Sequence, residues 1–321
     1  MDWFGAGNNW PLIAARAIHF AATAITAGNL VFTTTVAGPA LRSKQAEAGL
    51  FRAQTRVVAW LGLTMLLISG AIWFLLQAAA MAGVSLPESL NSEVLSTVVN
   101  ETQFGQVCEI RLALAILLAA CLAARGRGRL VEWLALACAI GLAIAIAWTG
   151  HAGGTLGKVG YLHLIADALH VVAASAWIGG LVSLVLLLWD IQHSPDASWA
   201  SFAGITVRRF STLGIVSVAT LLVTGTINAS ILVGSFEALL VTEYGRILTL
   251  KLIAFAVMLA FASFNRLWLM PRLVSTTANQ PQIDALRQLT RNSAIEIALG
   301  ISIFAMVGML GTMHPAIHFF L

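Results

Sequence analysis

The residues best suited to chemistry in this chain are its seven histidines, and one helix-length segment carries them in a telling order. His163, Asp167 and His170 stand at i, i+4 and i+7, which puts them on one face of a helix. At 1.5 Å per residue the two imidazoles lie about 10 Å apart along the axis. They are too distant to share one ion, but each can share one with Asp167, so the face reads as a ladder with two stops. His151 sits nearby in sequence, in Gly150-His-Ala-Gly-Gly154. His314 and His318 close the chain behind Met309 and Met313, and His19 lies eight residues beyond Pro11. Imidazole suits copper, zinc, iron and nickel, and thioethers add a soft donor preferred by Cu(I). Met313-His314 is an adjacent pair of that kind. The closed four-ligand set of a structural zinc site cannot be assembled from these spacings.

Asp167 is the sharpest single residue. Even on lenient insertion scales a carboxylate inside a bilayer costs about 2.5–3.5 kcal/mol. Such an acid is paired, lines a cavity or serves an ion, and Arg16, Arg111 and Lys251 are the cations that could pair with it. For Glu296 a pair with Arg291 or Arg266 is expected. Cys108, Cys121 and Cys138 fall within apolar runs without a C-x-x-C spacing and read as inert buried thiols.

The elements that must carry these side chains are membrane helices. Charged residues make up 10% of the 321 and apolar ones 59%, against about 25% charged in a soluble domain. The mean hydropathy of +0.88 agrees. Eight runs approach the roughly 20 apolar residues a span needs: Leu12–Ala37, Val57–Ala82, Val107–Ala124, Val131–Thr149, Leu164–Trp189, Val207–Val233, Ile247–Met270 and Ala294–Met313. The fold class is therefore an all-α bundle of about eight transmembrane helices forming a single polytopic domain, with the lipid bilayer as its solvent. No convincing internal repeat is visible. Asp2 and the absence of Lys or Arg in the first ten residues argue against a cleavable leader. Gly179-Gly180 offers a close helix approach, and Trp10, Trp189 and Trp268 fit an interfacial belt.

Loop charge sets the orientation. The links after the first, third, fifth and seventh runs hold thirteen basic residues, among them Arg52, Arg129, Arg209 and Arg287. The positive-inside rule puts these links in the cytoplasm and both termini on the periplasmic side. All the histidines except His193 then fall at or near the periplasmic side. The small net charge of +4 is spread through short loops, so no nucleic-acid partner is expected. No P-loop, G-x-S-x-G, H-E-x-x-H or dinucleotide fingerprint appears, and no enzymatic activity is expected.

The run His163-Leu-Ile-Ala-Asp-Ala-Leu-His170, continuing to Trp177-Ile-Gly-Gly-Leu181, resembles the central motif of the copper-resistance D family. So do Gly150-His-Ala152, Thr102-Gln-Phe-Gly105 with Arg111, Arg209-Phe-Ser211, Thr242-Glu-Tyr-Gly-Arg246 with Lys251, Asn265-Arg266, Glu296 and His314-Pro-Ala316. The likeness covers nearly all of the chain. One departure is Cys108, where the family pattern often has an aromatic residue. The resemblance implies a bacterial inner-membrane protein that moves copper ions, often with a small periplasmic copper-binding protein, here expected as a separate chain.

Three readings follow. In the first, copper arrives at His151, His163, His314 and His318, passes to Asp167, His170 and His19, and uses Met313 where Cu(I) is carried. In the second, His19 and His170, at similar depth on different helices, are axial ligands of a haem. In the third, the protein binds copper outside as a sensor or scaffold and moves none.

Overall fold

The computed structural model describes residues 10–41, 49–124, 128–193, 197–273 and 280–319, without the side chains of 40–41, 197–203, 280–281 and 318–319. Among these residues eight helices are long and apolar enough to cross a membrane, and no strand occurs. They are α1 Trp10–Ala37, α2 Gly49–Ala82, α3 Gln103–Ala123, α4 Arg129–Thr149, α5 Gly157–His193, α6 Gly204–Leu232, α7 Glu243–Leu273 and α8 Gln282–Leu310. The protein is an all-α integral membrane bundle. Below, the face where α1 begins and α8 ends is called the terminal face, and the opposite one the basic face.

Each expected span is present, and several extend further into the basic links. α2 starts at Gly49 rather than Val57, and α8 at Gln282 rather than Ala294. Hydropathy sees only the lipid-immersed part of a helix, whereas its hydrogen bonds continue into the polar interface. The connection after α2 is also helical, as Leu86–Ser89 and Ser92–Glu101. A capping box starts the first of these, and the Ser85 amide and hydroxyl hold the Glu88 carboxyl below its usual range.

The least apolar of the eight helices is the most buried. α1 has 72% of its membrane window buried, against 17% for α6 and for α7. In lipid, polar side chains go to the interior, and α1 carries Arg16, His19, Thr23, Thr26 and Asn29 there. It packs against α2, α4, α5 and α8. Asn29 ties three helices together: its amide donates to the Thr55 carbonyl at 2.9 Å and accepts from Ser183 Oγ at 2.8 Å.

α1 and α5 cross at Gly28 and Gly179. A Cβ on Gly179 would run into the Ala24 carbonyl oxygen, and one on Gly28 into the Ser175 carbonyl oxygen. Each obstructing carbonyl lies four residues before the facing glycine, so the crossing has the form of a two-fold axis. α5 and α1 also share π-helical segments in their basic halves, at Ser175–Gly179 and Phe32–Ala37. Thr102 and Thr242 cap α3 and α7 identically. Each hydroxyl accepts from a glycine amide three residues on (3.0 and 2.9 Å) and donates to a carbonyl four residues back (2.6 Å in both). Helices α1–α4 and α5–α8 thus share these local features, a likeness the sequence reading does not detect.

Candidate functional site

The ladder face of α5 lies against α6, and Lys251 of α7 is the cation that acts on it. Thr155 Oγ1 donates its one proton to the His151 carbonyl at 3.0 Å, so towards His163 Nδ1, 2.8 Å away, it can only accept. His163 therefore carries its proton on Nδ1. One helical rung deeper the device recurs: Thr224 Oγ1 donates to the Thr220 carbonyl at 2.7 Å and accepts from His170 Nδ1 at 2.9 Å. Neither Nε2 has a hydrogen-bond partner among the described residues. A fixed Nδ1–H with a bare Nε2 is the state in which histidine ligates metals.

Asp167 lies between them. Its Oδ1 accepts from Asn228 Nδ2 at 3.2 Å, and Lys251 of α7 is the nearby cation. Of the three cations considered from sequence, Lys251 is the one beside it. Asn228 Oδ1 is buried without a partner. Tyr244 meets the turn above this centre, its ring edge-on to that of His151 at 6.1 Å. His151 Nε2 donates to the Leu310 carbonyl at 3.0 Å. Met309 and Met313 pack on the cluster that contains Tyr244. His314 is exposed, and the side chain of His318 lies outside the described residues. Among the described residues no three His, Cys, Asp or Glu side chains gather around one point. His163, Asp167 and His170 follow one another along α5 from the terminal face inward.

His19 stands elsewhere. Its Nδ1 pairs with Ser69 Oγ of α2 at 3.1 Å, and since Ser69 donates to the Met65 carbonyl at 2.6 Å, the proton again sits on Nδ1. Here, however, Nε2 is taken by the Arg111 guanidinium of α3. Arg16 and Arg111 both stack on Trp73, at 4.9 and 5.6 Å from a ring centroid. Among the described residues no contact or cavity joins His19 to Asp167 or His170: α1 turns His19 towards α2 and α3, while α5 turns its ladder towards α6.

In the basic half, Glu296 is 2% exposed and accepts from Asn265 Nδ2 at 2.8 Å, and Asn265 Oδ1 accepts from Asn292 at 2.7 Å. The expected ion pair with Arg266 or Arg291 is replaced by this amide relay, because a third π-helical segment, Asn265–Leu269, turns Asn265 inward while Arg266 bonds Ser211. Glu296 borders an apolar cavity of about 290 Å³ between α5, α6, α7 and α8.

Sequence reading missed Thr155, Thr224 and Tyr244. Their one signal is weak: a hydroxyl placed a turn or more away from a histidine, on another element.

Two family models match the chain: one described as "Copper resistance protein D-like, N-terminal domain" over residues 7–161, and one described as "Copper resistance protein D" over residues 204–310. Among curated proteins, the chain is 28% identical over 282 residues to Copper resistance protein D of Pseudomonas syringae pv. tomato, covering 86% of this chain and 88% of that one. It is 29% identical over 305 residues to Inner membrane protein YebZ of Escherichia coli K12, covering 94% and 98%. It is 30% identical over 280 residues to Copper transport protein CutJ of Bacillus subtilis 168, covering 86% of this chain and 48% of that one.

Proposed function

The chain belongs to the copper-resistance D family of multi-pass inner-membrane proteins that handle copper, and from that premise we propose that its second half conducts copper ions across the bilayer. The carrying observation is the pair of threonine-oriented histidines on either side of Asp167, with both Nε2 atoms bare. Copper enters at the terminal face, which the basic links make the periplasmic one. His151, His163 and Met313 form the mouth, where a separate small copper-binding protein delivers the ion, and exposed His314 faces that partner. The ion then steps to Asp167 and His170. Lys251 holds the place of the positive charge beside Asp167 between passages. The protein acts as a carrier and catalyses no covalent step. A haem reading would need His19 and His170 to face one cavity, and His19 is engaged with Arg111 instead.

The test is copper entry into proteoliposomes. Asp167→Asn and His170→Ala are expected to lower the rate at least about tenfold, with the helical content and thermal midpoint retained. Rates equal to the parent's would overturn the proposal. Copper binding without entry in the parent would make the protein a sensor or scaffold.

A further inference from the structure

The two halves, α1–α4 and α5–α8, carry equivalent centres with inverted charge. His19 and His170 each lie nine residues before the crossing glycine of their helix, Gly28 and Gly179. Each meets a hydroxyl that is followed by a glycine: Ser69-Gly70 on α2, Thr224-Gly225 on α6. Those glycines lie against the rings, since an added Cβ would stand 3.1 and 3.4 Å from the imidazole carbons. Nine residues after each capping threonine comes a cation, Arg111 on α3 and Lys251 on α7. Three residues before each histidine comes a charge, and here the halves part. The second half has Asp167 and the first has Arg16. The residue four beyond the hydroxyl follows suit: Asn228 donates to Asp167, whereas Trp73 offers its ring face to Arg16.

The second centre thus balances Asp167 against Lys251. The first holds two guanidiniums, each 5% exposed, and among the described residues no acid. Uncompensated charges in the bilayer are costly. Among the described residues Arg16 makes no hydrogen bond, and both the Arg16 and Arg111 Nε atoms are buried without a partner. Ring stacking on Trp73 and Phe20 satisfies neither N–H. Arg16 forms part of the wall of a cavity of about 320 Å³ at the terminal ends of α1, α2, α3 and α4. Gln77 and Gln103 line it with amide donors, and the turn Trp148–Gly154 closes it.

We infer that this cavity is an anion site: Arg16, backed by Arg111, binds a small oxyanion of the carboxylate or phosphate type. The planar guanidinium fork matches two oxygens of such a group, and the anion supplies the negative charge that Asp167 supplies in the other half. The site borders the proposed copper mouth, since His151 lines its wall as well, but none of the ladder residues on α5 belongs to it.

The test is thermal unfolding of the full chain in detergent, with sodium phosphate or sodium acetate against sodium chloride at matched ionic strength. A parallel arm uses nanodiscs of phosphatidylcholine with and without phosphatidylglycerol. At saturation the parent's midpoint is expected to rise by about 3 °C or more, and Arg16→Met to abolish the rise. A response to phosphate or acetate marks a free oxyanion, and one to phosphatidylglycerol alone marks a lipid headgroup. Should Arg16→Met fail to fold, Gln77→Leu is expected to reduce the shift. No response of the parent in any arm, or an equal response in parent and variant, would overturn the inference.

Discussion

His170 gives its Nδ1 proton to Thr224 Oγ1 across 2.9 Å, and the threonine has no other choice than to accept it, since its own proton is bound to the Thr220 carbonyl at 2.7 Å. The imidazole is thereby fixed in one tautomer and one orientation. Thr224→Val removes the acceptor and keeps the shape. Loss of such an orienting partner costs about 10–100-fold in metal affinity. Copper entry into proteoliposomes should fall by a comparable factor with the fold intact, and Thr224→Ser should restore most of it. A Val variant with parental rates would show that the hydroxyl does no orienting.

On the proposed route Lys251 competes with copper for Asp167. Lys251→Met leaves the acid buried without its cation, so the metal-free protein should be less stable, by about 3–5 kcal/mol at most. Copper then substitutes for the missing charge. The rise in thermal midpoint on adding copper should be larger in the variant than in the parent, and calorimetric scans with and without the metal read both effects.

His19→Ala should behave unlike His170→Ala. It leaves the Arg111 guanidinium without the imidazole that now receives it, while Ser69 keeps its bond to the Met65 carbonyl, at about 1–3 kcal/mol for the buried group so orphaned. Stability should drop while copper entry through the second half continues. If copper entry fails as completely as in His170→Ala at equal expression, His19 belongs to the route after all.

The Gly28–Gly179 crossing should tolerate no side chain on either helix. Gly179→Ala drives a methyl into the Ala24 carbonyl, and the backbone can yield only by opening the α1–α5 contact. Destabilisation of more than about 2 kcal/mol is expected. Gly214→Ala, with no atom within 4 Å of the added methyl, is the control and should leave the midpoint unchanged or slightly raised, as helix propensity favours alanine. Unfolding midpoints in detergent decide.

The sequence by itself determined the number of spans and the face shared by His163, Asp167 and His170, because apolar length and the 3.6-residue period are local properties of a chain in lipid. It also supplied the resemblance, whose motifs are contiguous. Only the tertiary structure decided what those residues meet. Which face of α1 points at which neighbour is set by close packing at Gly28 and Gly179, and no local composition reports it. That packing sent His19 to Arg111 rather than to Asp167, and the π-helical segment Asn265–Leu269 gave Glu296 to Asn265 rather than to an arginine. The likeness of the two halves stayed hidden for the same reason. Its marks are a hydroxyl before a glycine, a threonine three residues before a glycine, and a charge whose sign was reversed; each is too small to be noticed until the fold sets the copies side by side.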